Sequence, residues 1–568
     1  MTYNLLVLIS YYLLTLVSIL GYGLFCLRLF DKKLSNNNFG YVGLFGIYAL
    51  LIYSYLSNFI LAHSEVHNIL LIILGIILFI INIIKNLPKY KKEIFFTFIA
   101  FFLIFSSLLL FKNHDDFPYY HFPYTYYLTQ QSFYFGVGQF NHGFRTPSSI
   151  FYLNSLFYLP SAKFYLFNFA SIYILGFANI VLVKKIHNYF NYFKIQKQKV
   201  NFINYLSLLS LIFINIFFYR LAEHGTDRSA QILVFLLVIE LLALIDVKKI
   251  KGINLFNIYL LGAIIISLKA FFILYVALAI PLFVLLVSRN KNYITAFSFL
   301  FYNRYFVLFS FLLFFVLFSY FVNTGCIIYP LSITCFDNLS WSIPITEVQL
   351  MNNWYELWSK AGATPNFRVE NPEQYIKRFY WVGNWIDSYF FTKGSDFVGG
   401  LIVQIIIVAI FFKKQFFEKK IINVHNHIYL TYMVLVFLGF EWFYNHPALR
   451  YGGYCIVALL FFIPISLKFN MSKINQIKYT KSVFILIFIA ISIFNIRNYT
   501  RVVKEINFYN YKPIEKTFYF INDNYFRIQK EMDILISQYK NCENLKNTCN
   551  LDKQKIFKKY GKFVFKNQ

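Results

Sequence analysis

At 568 residues, 58% hydrophobic and only 14% charged, the chain has too few polar groups to cover a soluble protein of its size. Its net charge of +28 does not point to nucleic acid, because the basic residues stand in short clusters between apolar runs and do not gather on one soluble face. A soluble enzyme and a nucleic-acid binder are thereby excluded, and the lipid bilayer becomes the first partner. Abundant Phe, Tyr, Ile, Asn and Lys beside scarce Ala fit AT-rich coding and point to a bacterial source.

The first apolar run, 5–30, lacks a basic leader and a small-residue cleavage site and is long enough to span, so it reads as a transmembrane helix and not as a signal peptide. Further runs follow at 39–62, 68–84, 94–111, 164–183, 200–219, 230–246, 254–268, 270–287, 303–322, 397–412, 427–444, 451–468 and 481–496. The fold class they predict is all-α integral membrane, with about fourteen transmembrane helices. The pair flanking Lys269 reads either as one kinked helix or as two.

Connections after odd-numbered runs carry the Lys and Arg clusters: Lys32 and Lys33, then Lys89 to Lys92, Lys184 and Lys185, Lys248 to Lys251, Arg289 and Lys291, Lys413 to Lys420, and Lys468 to Lys478. The positive-inside rule makes these cytoplasmic. The alternation survives only if Lys269 separates two helices, which places both termini in the periplasm of a bacterial inner membrane. The outer face then holds two long segments, 112–163 and 323–396, and a tail, 497–568, whose lysines run against the bias. Cys326 and Cys335 share one outer segment, and Cys542 and Cys549 share the tail, so both pairs are disulfide candidates; neither has the spacing of a zinc site.

The segment 112–150 is the polar anomaly of the chain, opening with His114 and the adjacent carboxylates Asp115 and Asp116 and continuing through Tyr120, His121, Asn141, His142 and Arg145. The same face receives Arg220, Glu223, His224, Asp227 and Arg228, the isolated Lys269, and Glu441, His446 and Arg450. Ionisable groups at membrane depth are costly and face a bundle interior or a wet cavity, so their convergence predicts one polar pocket. There Asp115 or Asp116 would be the general base. Lys269 and Arg450, with Arg145 and Arg228, would hold a phosphate. A structural reading stands beside each role: the aspartates cap a helix starting near Pro118, Asp227 and Arg228 belong to an exposed turn, and Lys269 snorkels from a helix end. No ligand spacing marks a metal, although a carboxylate pair also suits a divalent cation.

A carboxylate pair in the first long outer loop resembles the GT-C superfamily of polytopic glycosyltransferases. Closer still is a bacterial group of GT-C-like membrane proteins without assigned function. Its elements stand here as DDFPYYHFP at 115–123, GQFNHGFRTPSS at 138–149, TGCIIYPLSITCFDNLSWSIP at 324–344 and HPALRYG at 446–452. His446 occupies the position where the group carries an acidic residue. The resemblance implies a GT-C-like architecture with helical outer loops: a three-helix N-terminal addition at 1–93, a membrane core at 94–496 and a small tail at 497–568. It implies a glycosyltransferase that moves a sugar from a polyprenyl-phosphate donor to a lipid, glycan or protein acceptor on the periplasmic face. In that reading Asp115 and Asp116 are catalytic and Tyr120, His121, Asn141, Arg145 and Arg450 bind substrate, joined by Lys269 and Arg228 from the charge pattern above. One sugar served by one base and one phosphate site predicts an aspartate within about 10 Å of Lys269 and Arg450. Competing functions are a transporter or flippase of a lipid-linked glycan, which places charges on broken helices at mid-membrane, and a polysaccharide polymerase or ligase centred on 323–396.

Overall fold

The structure is a computed structural model describing residues 3–30, 38–84, 86–110, 116–195, 202–221, 225–364, 367–417, 425–470, 476–510, 526–544, 556–559 and 561–566. Every apolar run is helical, because backbone polar groups in lipid must pair within their own segment. Among the described residues, ten helices are long and apolar enough to cross a membrane. The helices Phe202–Phe217, Gly252–Leu268 and Gly453–Phe469 are apolar but shorter. Leu87–Leu103 opens on Pro88 and three lysines before its apolar half. The chain is therefore an all-α, multi-pass membrane protein.

Lys269 takes an extended conformation, with φ −156° and ψ 126°, between Phe256–Leu268 and a 3-10 stretch, Ala270–Leu278, that runs into Ala279–Asn290. The two runs are separate helices, as the alternation of loop charge requires. A short helix that apolar length alone does not predict, Tyr293–Phe301, joins two of the runs and exposes Tyr293, Ile294 and Phe297.

The first three helices interlock through glycines. A Cβ on Gly21 would lie 1.9 Å from the Gly75 carbonyl oxygen, and one on Gly46 would lie 2.1 Å from that of Ile19. Only glycine permits so close an approach of backbones. Phe39–Asn58 also packs on Phe169–Ile195, and the Tyr12 ring stacks on Tyr173 at 5.6 Å. One hydrophobic core accordingly contains residues from both sides of position 93.

The segment 112–163 folds into a π-helical turn, Phe117–His121, followed by Phe122–Gln130 and, later, Ser149–Ser155. The segment 323–396 contributes the helix Ile345–Ser359 and a minimal strand pair, Ala363–Thr364 with Phe367–Arg368. In the tail, Ile556–Lys559 and Lys562–Phe565 form an antiparallel hairpin, a second local departure from all-helical structure. Phe135 extends that hairpin: its amide donates to the Phe563 carbonyl at 3.0 Å, and the Phe565 amide donates to the Phe135 carbonyl at 2.9 Å. At the other end of the chain, the Tyr11 hydroxyl donates to the Pro160 carbonyl at 2.9 Å. Tyr11 and the Ile556–Lys559 and Lys562–Phe565 strands therefore lie beside 112–163.

Candidate active site

Four elements meet at the candidate site. Gly225–Ala243 begins as GTDRS, which puts Asp227 in the first turn, where the helix dipole favours an anion. Lys269 follows the last turn of Phe256–Leu268, where the dipole favours a cation. Ser148, from the GQFNHGFRTPSS element, donates to the Leu268 carbonyl at 2.6 Å and so ties that element to the Lys269 break. Arg450 lies in a 3-10 turn, Leu449–Tyr451, closed by Gly452 at φ +107°, a conformation that side chains with a Cβ rarely adopt.

These residues form one chain of ion pairs. Asp227 Oδ1 lies 2.6 Å from Lys269 Nζ, Asp227 Oδ2 lies 3.2 Å from Arg450 Nε, and Arg450 Nη2 lies 3.1 Å from Asp116 Oδ2. The side chain of Asp227 is only 2% exposed, whereas those of Lys269, Arg450 and Asp116 are 25%, 26% and 28% exposed. Asp227 is thus the buried hub, and the other three open towards solvent. The Tyr451 ring supports both cations, at 5.3 Å from Lys269 and 5.5 Å from Arg450. Burial opposes the charge on Arg450, but Asp227 first, then Tyr451, Tyr120 and Asp116, hold its guanidinium well above the ordinary range.

Gln231, one helical turn beyond Asp227, fixes the same turn through the backbone. Its amide nitrogen donates to the Arg450 carbonyl at 3.1 Å, and its oxygen accepts from the Cys455 amide at 3.1 Å. The Tyr389 hydroxyl accepts from the Leu449 amide at 2.8 Å, which ties the 323–396 segment to the turn.

Asp116 touches Arg450 directly, and Asp227 connects Arg450 to Lys269. Asp115 lies outside the described residues, as do Glu223 and His224. Asp116 stands at the N-cap position of Phe117–His121 without a side-chain hydrogen bond to that turn. Asp227 and Arg228 are buried, at 1% and 9% exposure, and do not form an exposed turn. Tyr120 stands behind the pair, within electrostatic reach of Asp116, Arg450 and Asp227. His121 packs against Tyr120 and Phe151.

Arg145 belongs to a neighbouring cluster. Its Nε donates to the Gly138 carbonyl at 3.0 Å, its Nη1 to the Tyr329 hydroxyl at 3.2 Å, and its Nη2 to Glu347 Oε1 at 2.6 Å. Tyr355 bridges the two clusters electrostatically, within reach of both Tyr329 and Tyr451. Asn141 accepts from the Gly143 amide at 2.8 Å and caps its own turn. Tyr329 is held in the loop closed by the Cys326–Cys335 disulfide. Cys542 is disulfide-bonded as well, while Cys549, the partner proposed from sequence, lies outside the described residues. A Cys326→Ala, Cys335→Ala variant is expected to lose about 2–3 kcal/mol of stability, as its closed loop is short. Thermal unfolding with and without reductant measures this, and an unchanged midpoint would contradict it.

The described donor set does not suit a divalent metal. Both oxygens of Asp227 are paired with cations and Asp116 faces Arg450, so an added metal would sit against two positive side chains. Among the described residues no group of three or more His, Cys, Asp or Glu side chains converges.

Burial pushes the His121 imidazole down to about 3, with Asp116 pulling the other way, and pushes His446 down to about 4, aided by Lys360. Between pH 6.5 and those values the unfolded chain binds protons that the folded chain does not, so stability is lost as pH falls through that window. Thermal midpoints in detergent should drop from pH 7 to pH 5. The drop should shrink in His121→Asn; an equal drop in that variant would assign the acid sensitivity elsewhere.

An α-helical multi-pass membrane protein with a charged cluster at one end of its helices is the class that this architecture defines. The chain belongs to the family described as a domain of unknown function, DUF8201, whose profile matches residues 5–457 and so spans the first three helices, the Lys269 break and the Arg450 turn. No curated protein and no solved structure matches the chain.

Proposed function

We propose that the protein is a GT-C-like glycosyltransferase of a bacterial inner membrane, with about fourteen crossings and a periplasmic active site. Its donor would be a polyprenyl-phosphate sugar and its acceptor a lipid, glycan or protein. The observation that carries this reading is the Asp116–Arg450–Asp227–Lys269 chain, in which a buried carboxylate fixes two cations beside an exposed one. Asp227 holds Arg450 and Lys269 whether or not substrate is present. The donor phosphate takes the place of Asp116 on Arg450 Nη2 and also reaches Lys269. Asp116, released, accepts the proton of the acceptor hydroxyl as that oxygen bonds to the sugar anomeric carbon. The bond from that carbon to the phosphate oxygen breaks, and the phosphate leaves with the electron pair, its charge met by Arg450 and Lys269.

The direct test is transfer from a defined polyprenyl-phosphate sugar by protein in nanodiscs, comparing wild type with Asp116→Asn. Loss of transfer with intact folding supports the base; full activity in Asp116→Asn and in the Asp115→Asn, Asp116→Asn double variant removes it. One feature favours transport of a lipid-linked glycan as a second reading: the helix is broken at Lys269 beside the charged cluster, as in transporters with discontinuous helices. Flipping of a labelled lipid-linked glycan in proteoliposomes without any transfer would favour it.

A further inference from the structure

The helix Gln476–Tyr509 has 34 residues. At 1.5 Å per residue it is about 51 Å long, well beyond a hydrocarbon core of about 30 Å. Counted from its lysine-bearing start, about twenty residues reach the far interface, which falls near Arg497. Tyr499 remains 69% exposed there, as an interfacial aromatic should.

Basic residues gather at this level, whereas loop parity assigns the short-loop lysine clusters to the opposite face. Arg497 Nη1 donates to the Ile216 carbonyl at 2.7 Å, at the end of Phe202–Phe217. The guanidinium groups of Arg497 and Arg501 both lie over the Tyr219 ring, at 4.9 and 5.8 Å. Arg220 follows Tyr219, and Lys504 lies one turn beyond Arg501. Arg497 is exposed, and its Nε and Nη2 have no hydrogen bond among the described residues. Around the helix, Arg501 projects between Arg497 and Asn498. Asn498 is fully buried, and neither of its amide atoms is hydrogen-bonded among the described residues.

We infer that Arg497 and Arg501, braced on Tyr219, bind the phosphodiester of an anionic membrane lipid on the face that carries the charged cluster. The planar guanidinium of Arg497, whose Nε and Nη2 have no hydrogen bond among the described residues, matches phosphate oxygens, and the ring beneath it fixes its orientation before the lipid arrives. The depth of Arg497 selects a phosphate presented at the headgroup layer. This site is independent of the transferase reading.

Full-length protein in nanodiscs of phosphatidylcholine, with or without phosphatidylglycerol, tests it by native mass spectrometry of the lipid retained on release. Wild type should retain phosphatidylglycerol over phosphatidylcholine. Arg497→Gln should weaken retention about tenfold, the effect of losing one charged hydrogen-bonding group, and adding Arg501→Gln should abolish it. Lys478→Gln with Lys481→Gln, at the other end of the helix, should leave retention unchanged. If the double arginine variant fails to fold, Arg497→Gln alone decides, because it alters an exposed side chain. Wild-type retention in Arg497→Gln, equal retention of phosphatidylcholine, or full competition by inorganic phosphate would each overturn the assignment.

Discussion

Asp227→Asn is expected to be the most damaging single substitution in the protein, destabilising it and stopping transfer together. The carboxylate is 2% exposed and pairs with both Lys269 and Arg450. Asparagine keeps the shape but removes the charge that compensates two cations. Breaking a fully buried pair costs about 3–5 kcal/mol; because Lys269 and Arg450 are each about a quarter exposed, water recovers part of that, and about 2–4 kcal/mol is expected. If Lys269 and Arg450 hold the donor phosphate as proposed, activity should fall further than stability explains, since both lose their common anchor and small misplacements cost about 100-fold. Thermal unfolding in detergent, together with transfer measured well below the midpoint, separates the two effects. A variant with wild-type stability would show that Asp227 is not the hub of the cluster.

Asp116→Asn should behave oppositely. Its carboxylate is 28% exposed and pairs with Arg450 at 3.1 Å, a pair that water screens. Stability should change by less than about 1 kcal/mol. Transfer should fall by about 100- to 10,000-fold, the range expected when a general base is lost. The contrast carries the information: Asp227→Asn moves both readouts and Asp116→Asn only one. Matching losses of stability in the two variants would mean that Asp116 serves the fold and not the reaction.

Much of the architecture was legible because lipid enforces simple rules. Apolar length located the helices, and the alternation of lysine clusters required a break at Lys269, where the backbone is indeed extended. Asp116, Lys269 and Arg450 stood out as charges without an obvious solvent. Asp227 was harder to read, since its neighbours Glu223, His224 and Arg228 give the local sequence the look of a solvated turn. Two isolated cations, each near a helix end, needed a buried counter-ion; that demand, and the largely apolar run after Ser229, were the available signals. For Arg145 no local signal existed: its partner Glu347 is 202 residues away, so its placement beside the main cluster is a product of tertiary packing. The tail was misleading for a different reason. Its lysines speak against the outer position expected from loop parity, yet long segments escape that bias, and its described strands pair with Phe135 of 112–163.

That pairing also imposes an order on biosynthesis. Lys562 Nζ reaches the Ser132 hydroxyl at 2.8 Å across 430 residues of sequence. At about 5–20 residues per second, the strand that closes onto Phe135 is made roughly 20–90 s after the loop it completes. Throughout that interval Phe135 offers an unpaired backbone edge, open to proteases and to other nascent chains. A chain interrupted before residue 556 would carry Asp116, Asp227, Lys269 and Arg450 yet leave that edge uncovered, and such an edge is what quality-control machinery can recognise.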